Sequence, residues 1–392
     1  MSSMNFMEKL LDGVKVEWQL LEQVAKIKHG KDWKGLDAGD VPIYGSGGIM
    51  GSVDTYSYNK PSVLIPRKGS ITNIFYIETP FWNVDTIFYT EIDESKIVPK
   101  FLYYFIKTID MMALDTGSGR PSLTQAILNK IQIPIPCPEN PEKSFEIQAE
   151  IVRILDAFTE LITELITELS ARKKQYNYYR DQLLSFEEGV PLLPLSQCCE
   201  SIADGDHQAP QKTENGIPFI TISDVSATNQ IDFNNTKFVS DSYYDALDCK
   251  RKARTNDILY TVVGSFGIPV YIDSDKKFAF QRHIAILRPN PSIVISKYIY
   301  HALRGSNVVK QAHSVATGAA QKTITLMALN RMQIAVPSLE EQARIVAILD
   351  KFEALTNAIT EGLPREIALR QKQYEYYRDL LLSFPKPEEL AA

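Results

Sequence analysis

Two stretches of the chain carry apolar residues at alternating steps of three and four, which places them on one face of an α-helix. An average repeat near 3.5 residues is typical of a coiled-coil seam. We predict one helix over about 145–185 and, because Gly362 and Pro364 interrupt the second stretch, two helices over about 339–361 and 364–384. The seam residues are Ile147, Ile151, Ile154, Phe158, Leu161 and Leu165, and then Ile345, Ile348, Phe352, Leu355 and Ile359.

The regions beside these helices have a different pattern. Short runs rich in β-branched and aromatic residues, such as 62–71 and 257–263, are separated by Gly, Pro, Asn and Asp, and this predicts strands joined by turns. Short helical patterns follow in matching places, so each region is predicted to be a mixed α+β globule. The predicted divisions are an N-terminal segment, a first globule, a central helical region, a second globule, and a C-terminal helical region with a tail: residues 1–15, 16–140, 141–188, 189–337 and 338–392.

The chain contains an internal duplication with a period near 200 residues. The sequence TGSGRPSLTQAILNKIQIPIP, which begins at Thr116, aligns without gaps to TGAAQKTITLMALNRMQIAVP, which begins at Thr317. IQAEIVRILDAF then matches EQARIVAILDKF, and KKQYNYYRDQLLSF matches QKQYEYYRDLLLSF. Such a period is too long for a solenoid. We infer two copies of one unit, a variable globule followed by a helix, and the two helices are expected to pack on each other.

Composition excludes several classes of protein. The 392 residues are 44% hydrophobic and 23% charged, which suits two or three domains with packed cores. Four cysteines without metal-ligand spacing argue against a disulfide scaffold and favour a reducing compartment. We see neither a signal-peptide pattern nor an apolar run of membrane-spanning length, and we therefore expect a cytoplasmic protein.

The charge is distributed unevenly along the chain. The net charge of −6 argues against indiscriminate coating of nucleic acid. The two helical regions, 141–188 and 338–392, carry net charges of −4 and −3, whereas the second globule, 189–337, carries +3. This distribution suits separate surfaces for protein partners and for an anion.

The sequence lacks the short motifs by which nucleotide-binding enzymes and amino-methyltransferases are identified. We find no GxxxxGK[ST] phosphate loop, no GxGxxG after a strand, and no Asp-Pro-Pro-Tyr or Asn-Pro-Pro-Tyr motif. The five histidines are scattered, and no metal site is evident. We therefore predict no catalytic residues, no metal and no cofactor in this chain.

Basic and polar loops are the candidates for ligand contact. Arg and Lys bind phosphate or guanine, Gln and Asn read adenine, and glycine lets a backbone approach a phosphate. A solvated turn remains the simpler interpretation of any single loop. Arg120 and Gln321 stand at equivalent places in the duplication and are expected to face one kind of ligand with different readout. The candidates are Lys31, Lys34, Tyr44, Ser46, Arg67, Lys68, Ser70, Arg120, His207, Gln208, Lys212, Lys250, Arg251, Lys252, Gln281, Arg282, Gln321 and Lys322.

The motif QYxYYRD occurs twice, at 175–181 and 373–379. One interpretation is helix packing with Tyr–Arg stacking. The other is a docking surface, since Tyr and Arg are common interface anchors, and a repeated motif then predicts two copies of one partner. The residues proposed for docking are Tyr176, Tyr179, Arg180, Tyr374, Tyr377 and Arg378.

Together these features resemble the specificity subunit of type I restriction–modification enzymes. The resemblance covers nearly the whole chain and rests on the two ILD helices, the LNKIQIPIP and LNRMQIAVP segments and the paired QYxYYRDxLLSF ends. The reiterated TELITELITEL at 159–169 and the segment at 359–379 look most like the type IC class.

The resemblance implies a mechanism. Each target-recognition globule would read one half of a split, asymmetric DNA sequence in the major groove, and antiparallel helices would set a spacer of roughly six to eight base pairs. Two modification subunits would dock on the helices and methylate adenine with S-adenosylmethionine. Restriction subunits would use ATP and Mg²⁺, and this chain would bind none of these cofactors.

Two other classes remain open from the residues alone. An independent enzyme, for instance a nuclease with an unrecognised site, would act as a purified chain with Mg²⁺. A scaffold or antitoxin-like protein would show no sequence-selective DNA binding even in its full complex.

Overall fold

The computed structural model describes residues 15–117, 119–206, 210–226, 228–319, 321–357 and 362–385. The chain divides into two compact units. Unit 1 comprises residues 1–164 and 368–392, and unit 2 comprises residues 165–367. Each unit therefore combines one globule with segments of both helical regions. No helix among the described residues is long and apolar enough to cross a membrane.

The globule of unit 1 is built from two small sheets and a strand pair. The four-stranded sheet has the order β2-β8-β5-β6, the three-stranded sheet has the order β4-β3-β7, and β1 pairs antiparallel with β9. Within the described residues the elements are β1 Val16–Leu20, α1 Leu21–Val24, β2 Ala25–Lys28, β3 Val41–Gly45, β4 Gly48–Val53, β5 Ser62–Pro66, β6 Phe75–Ile77, β7 Trp82–Asn83, β8 Ile87–Ile92, α2 Pro99–Ile106, α3 Gln125–Leu128 and β9 Gln132–Pro136.

A single helix of 43 residues follows, α4 Pro141–Leu183. At 1.5 Å per residue it is about 64 Å long. The division between the two units falls inside it, between Glu164 and Leu165.

Unit 2 repeats the topology of unit 1. Its four-stranded sheet has the order β11-β17-β14-β15, its three-stranded sheet has the order β13-β12-β16, and β10 pairs antiparallel with β18. This confirms the predicted α+β class and the tandem repeat. The elements are β10 Leu192–Pro194, α5 Leu195–Cys198, β11 Cys199–Asp204, β12 Ile217–Ile220, β13 Lys237–Val239, α6 Asp241–Ala246, β14 Ile258–Thr261, β15 Pro269–Tyr271, β16 Ala279–Phe280, β17 Ile284–Pro289, α7 Ser296–Arg304, α8 Ser306–Val315, α9 Leu326–Arg331 and β18 Gln333–Ala335, with 3₁₀ turns at Ile222–Asp224 and Cys249–Arg251.

Two helices complete the chain, α10 Leu339–Asn357 and α11 Gly362–Leu381. The predicted break in the second helical region is confirmed. Gly362 has φ +73°, a conformation that glycine adopts without the steric cost of a Cβ, and it therefore suits the break.

In α4 and α10 one residue of the predicted seam is replaced on the buried face by its neighbour. Ile147, Ile151 and Leu155 are buried in the core of unit 1, whereas Ile154 is only partly buried against it. Unit 2 shows the same shift, because Leu349 rather than Ile348 is buried beside Ile345. The seam prediction was wrong here because the first turns of α4 and α10 pack on a globule, which favours a spacing of four residues over the coiled-coil average.

The ends of the helical regions are also core elements. Leu381, Leu382 and Phe384 belong to the buried cluster of unit 1. In unit 2 the equivalent Leu183, Leu184 and Phe186 are partly buried against the cluster that contains Ile345 and Leu349. Each globule is therefore stabilised by the start of its own helical region and by the last turns of the other.

Candidate nucleic-acid interface

Each unit presents one loop whose backbone attachment is the same in both copies. We call these the TG loops, residues 116–123 and 317–324. In unit 1 the Gly69 N–H donates to the Pro121 carbonyl over 2.9 Å, and the Leu123 N–H donates to the Arg67 carbonyl over 2.8 Å. In unit 2 the Gly264 N–H donates to the Lys322 carbonyl over 2.9 Å, and Ile324 donates to Val262 over 2.8 Å. The same two hydrogen bonds thus fix each TG loop beside the end of a central strand, β5 or β14.

A glycine lies directly under one side chain of each TG loop. A Cβ built on Gly69 would lie 3.3 Å from Nη2 of Arg120 and 3.4 Å from Oγ of Ser46. A Cβ built on Gly264 would lie 3.1 Å from Nε2 of Gln321. Both glycines have positive φ, +87° and +71°, which disfavours any other residue at these positions. The sequence indicated Arg120 and Gln321 through the duplication, but it gave no signal for the two glycines beneath them.

Asp115 organises the first TG loop. Its Oδ1 accepts hydrogen bonds of 2.8 Å from the backbone N–H groups of both Ser122 and Gly117. These backbone donors hold the pKa of the Asp115 carboxyl below its ordinary value. In unit 2 the Thr317 N–H donates to the Thr323 carbonyl, as Thr116 donates to Ser122 in unit 1, and the Thr323 N–H donates in return to Thr317.

Several predicted residues of unit 1 lie close to this loop. Ser46 is held by a hydrogen bond from its N–H to Thr86 Oγ1 and by one from Asn73 Nδ2 to its carbonyl, 3.4 and 3.2 Å long. The exposed Lys68 forms an antiparallel bridge with Ser122 of the TG loop. The geometry therefore brings Ser46, Arg67, Lys68, Ser70 and Arg120 to one edge of the globule, where β5 ends.

Other candidates of unit 1 have different surroundings. Tyr44 packs against Phe75 and Phe81, and burial raises the pKa of its hydroxyl. Tyr44 is half-buried, so its ring packs within the globule, and its role as a DNA contact stays a prediction. Lys31 and Lys34 are exposed, and the Lys31 N–H donates to the Asn83 carbonyl, which places that loop beside β7.

In unit 2 the loop between β16 and β17 carries the residues that accompany the TG loop. The His283 carbonyl accepts the N–H of Val262, as the Thr86 carbonyl accepts that of Arg67 in unit 1. Gln281 is half-buried and Arg282 is exposed. Partial burial and the positive charge of Arg282 lower the pKa of His283 below its ordinary value. Gln281, Arg282, Gln321 and Lys322 therefore surround the end of β14 through shared backbone contacts.

Two of the basic residues at 250–254 of unit 2 contact other groups of the protein. Arg251 lies 3.7 and 3.8 Å from carboxylate oxygens of Asp204 and Asp206, and Lys252 donates to the Asp245 carbonyl over 2.9 Å. The acidic neighbours of Arg251 and the carbonyl contact of Lys252 give both side chains a structural role, and their contact with phosphate stays a prediction. Lys250 and Lys212 are exposed, and contact with Lys237 lowers the pKa of Lys212. His207 and Gln208 lie outside the described residues.

The QYxYYRD motifs are half buried. Tyr176, Arg180 and Tyr374 are only 3%, 8% and 6% exposed. This burial corrects their prediction as docking residues: Tyr176 belongs to a core cluster of unit 2, and Tyr374 to the core of unit 1. Tyr179 is 42% exposed, and Tyr377 and Arg378 are partly exposed. The accessible residues of the two motifs also include Tyr178 and Tyr376, which are more than half exposed.

A buried glutamine ties each helical region to its globule. Gln148 Oε1 accepts the N–H of Val98, and Gln342 Oε1 accepts that of Ile295, both over 2.8 Å. Val98 and Ile295 are the N-cap residues of α2 and α7. The start of each helical region is thus attached to its own globule through polar contacts as well as apolar ones.

One titratable cluster accompanies this attachment in unit 2. Asp350 accepts from Lys297 over 2.6 Å and lies 2.9 Å from Nε2 of the buried His301, and Glu353 accepts from Arg304 over 2.6 Å. His301, Asp350 and Glu353 are close enough to one another to share a metal ion. The ammonium of Lys297 and the guanidinium of Arg304 already occupy these carboxylates, and the cluster is a charge network that packs α7 on α10.

The sequence and fold were compared with known proteins. The family model described as the type I restriction modification DNA specificity domain matches the chain twice, over residues 15–172 and 201–369. The chain is 39% identical over 422 residues to the EcoR124I/EcoR124II specificity subunit of Escherichia coli, with 100% of both chains covered. It is 34% identical over 401 residues to a putative type I specificity subunit of Haemophilus influenzae, covering 97% of this chain and 98% of the relative.

Solved structures share the fold. The type I restriction–modification S subunit of M. genitalium superposes with a TM-score of 0.57 at 17% identity, covering 96% of this chain and 97% of that one. A chain from a study of complex assembly and conformational transition in the type I R-M system gives a TM-score of 0.60 at 17% identity and covers 94% of this chain and 97% of its own.

Proposed function

The chain belongs to the type I restriction–modification DNA specificity family, and we propose that each of its two globules reads one half of a bipartite, asymmetric DNA target. As a specificity subunit it supplies recognition and no catalysis of its own. The observation that carries the proposal is the repeated TG-loop geometry, in which identical backbone contacts present different side chains, Arg120 and Gln321.

The surroundings of the TG loops suit DNA. Lys68, Arg120, Arg282 and Lys322 are exposed cations at the ends of β5, β14 and the neighbouring loops. Cations at such loops attract phosphates, and the polar side chains beside them suit base edges in the major groove. Different side chains on the same backbone are what two different half-sites require.

The helical regions are proposed to set the distance between the half-sites. In dimeric DNA readers the separation of half-sites follows from the geometry of the protein that joins them. Here α4 runs without interruption from Pro141 to Leu183 and contains the reiterated TELITELITEL. The uninterrupted course of α4 supports a fixed spacer, and its size of roughly six to eight base pairs stays a prediction from the family resemblance.

The chain works within a complex with methyltransferase and restriction subunits, and we propose that two methyltransferase subunits bind it, one for each repeat. The exposed Tyr178, Tyr179 and Tyr376 and the partly exposed Tyr377 and Arg378 support such docking, since aromatic residues and Arg are enriched at interface centres. S-adenosylmethionine, ATP and Mg²⁺ are assigned to the partner subunits, and the complex to the cytoplasm.

Co-expression with the cognate methyltransferase subunit tests the function. Mapping of methylated adenines by long-read sequencing should give one split, asymmetric motif with a fixed gap. Methylation without a consistent motif, or a stable complex that methylates no DNA, would contradict the proposal and favour a scaffold. Cleavage of DNA by the purified chain with Mg²⁺ alone would instead favour an independent nuclease.

A further inference from the structure

The two TG loops place one exposed, hydrogen-bonding side chain at the same point of each repeat. Arg120 and Gln321 each lie over a glycine that is hydrogen bonded to the loop one residue further on, at Pro121 or Lys322. The hydrogen bonds at Pro121 and Leu123 agree with those at Lys322 and Ile324, and Thr116 donates to Ser122 as Thr317 donates to Thr323. The two side chains therefore stand in equivalent backbone surroundings within their own units.

Neither side chain is engaged by a polar group of the described part of the protein. Arg120 and Gln321 are exposed, and among the described residues neither forms a side-chain hydrogen bond or an ion pair. Arg180, Arg288 and Arg304, by contrast, are largely buried and paired. An exposed, unpaired Arg or Gln is usually mobile, but here the glycine beneath it gives the side chain a close contact surface.

The chemistry of the two residues differs in a way that DNA bases match. A guanidinium donates two parallel hydrogen bonds to O6 and N7 of guanine, whereas the amide of Gln pairs with N6 and N7 of adenine. Both bases present these groups in the major groove at similar positions. The same loop backbone can therefore recognise guanine when it carries Arg and adenine when it carries Gln.

We propose that Arg120 reads a guanine in one half-site and Gln321 reads an adenine at the equivalent position of the other. Gly69 and Gly264 act as positioning residues that leave room for these side chains. The proposal rests on the proposed function, because it requires each globule to read one half-site.

Selection from randomised double-stranded DNA by the intact complex of this chain with its methyltransferase subunit tests the proposal. The wild-type complex is expected to select a bipartite motif that contains the guanine and the adenine. Arg120→Ala should reduce discrimination at one position of one half-site by roughly 5- to 150-fold, the range of a bidentate base contact. Gln321→Ala should do the same at one position of the other half-site, and the gap should remain unchanged in both.

An exchange variant makes the test directional. Gln321→Arg should convert the preference at its position from adenine to guanine. Arg153→Gln, which removes an exposed charge from α4, is the matched control and should leave all preferences unchanged. Selection of an unchanged motif by both alanine variants would overturn the inference, as would a loss spread evenly over both half-sites. Failure of the wild-type complex to select any bipartite motif would instead reject the proposed function itself.

The glycines are tested by the same selection. Gly69→Ala should weaken the same base preference as Arg120→Ala, and the double variant should add little to either single change. Gly189 shares a positive φ of +115° but has open space around its Cβ position, so Gly189→Ala controls for backbone strain. Equal effects of Gly69→Ala and Gly189→Ala on the motif, or full additivity with Arg120→Ala, would remove the positioning role.

Discussion

Phe158 stacks on Tyr377 with 5.4 Å between ring centroids and an interplanar angle of 21°. Phe352 stacks on Tyr179 in the same way, at 5.7 Å and 26°. Each pair joins the ILD segment of one helical region to the QYxYYRD segment of the other. Each unit therefore contains the start of one helical region and the end of the other, so it includes helical segments from both copies of the repeat.

Truncation of one ring in such a pair should destabilise its own unit. We expect Phe158→Ala to lower the free energy of unfolding of unit 1 by about 1–3 kcal/mol, since the ring is partly buried. In a double-mutant cycle with Tyr377→Ala the coupling should be about 0.5–1.5 kcal/mol. Urea unfolding of the full chain measures both values. Phe158→Ala with Tyr179→Ala serves as the control cycle, and coupling there equal to that with Tyr377 would contradict the pairing.

The buried glutamines offer a second stability test. Gln342→Leu keeps a similar volume but leaves the Ile295 N–H and the carbonyls of Ile293 and Pro337 without the partner they have now. An unsatisfied buried polar group costs about 1–3 kcal/mol, and we expect a loss of that size or larger. Thermal unfolding is the measurement, with the exposed Gln371→Leu on α11 as control. Equal melting temperatures of the two variants would show that water replaces the lost contacts.

Much of the architecture follows from the sequence, because duplication repeats each signal. The predicted α+β class, tandem globules and helix break are confirmed. The sequence did not predict the hydrogen bonds that Gln148 and Gln342 accept from Val98 and Ile295. A buried glutamine in a helix has no distinguishing pattern before its partner is known. The shift from Ile154 to Leu155 has the same origin: steps of three and four fit either neighbour until the packed surface is known.

The interface was foreseen less completely than the fold. Arg120 and Gln321 were singled out because the alignment of the two repeats pairs them. Gly69 and Gly264 lie on a different part of the chain, and only tertiary structure brings them under those side chains. The surroundings of the basic residues at 250–254 could not be predicted either, because charge along the sequence does not reveal that Arg251 has Asp204 and Asp206 beside it.

The Asp350 network predicts a pH dependence of stability. Burial opposes ionisation of Asp350, but hydrogen bonds from His301 and Lys297 outweigh it and lower the pKa of the carboxyl. A carboxyl whose pKa is lowered by folding stabilises above its unfolded pKa of about 3.9, and that contribution disappears as the pH falls through the folded pKa. At pH 7 we expect Asp350→Asn to cost about 2 kcal/mol.

Urea unfolding at pH 7 and near pH 3 measures this difference. The difference in stability between wild type and Asp350→Asn should be smaller at the lower pH. Asp379→Asn is the control, because the Asp379 side chain is 63% exposed and its ion pair with Arg378 should contribute less than about 1 kcal/mol. A difference between wild type and Asp350→Asn that is the same at both pH values would exclude ionisation as its cause.

Lys68 should act on phosphate rather than on a base. Its ammonium is exposed beside the TG loop and forms no ion pair with a described carboxylate. Lys68→Ala in the methyltransferase complex should weaken binding to all DNA sequences about equally and reduce the slope of log affinity against log salt by about 1. Fluorescence anisotropy from 50 to 200 mM salt measures this slope. The slope with Arg153→Ala should match that of wild type, and a change of base preference in Lys68→Ala would contradict the assignment.

The length of α4 should determine the gap between the half-sites. Deletion of residues 166–169 removes about 6 Å of helix, which corresponds to about two base pairs at 3.4 Å each, and turns the helix by only about 40° beyond a full turn. Glu164 then stands four residues before Arg172 and replaces the Glu168 partner lost with the deletion. Methylation mapping should show a gap shortened by about one or two base pairs with both half-sites unchanged. Insertion of a further Ile-Thr-Glu-Leu after Leu169 should lengthen the gap by a similar amount. A gap that stays constant in both variants would mean that the DNA spacing is set elsewhere, in the second helical region or by the methyltransferase subunits.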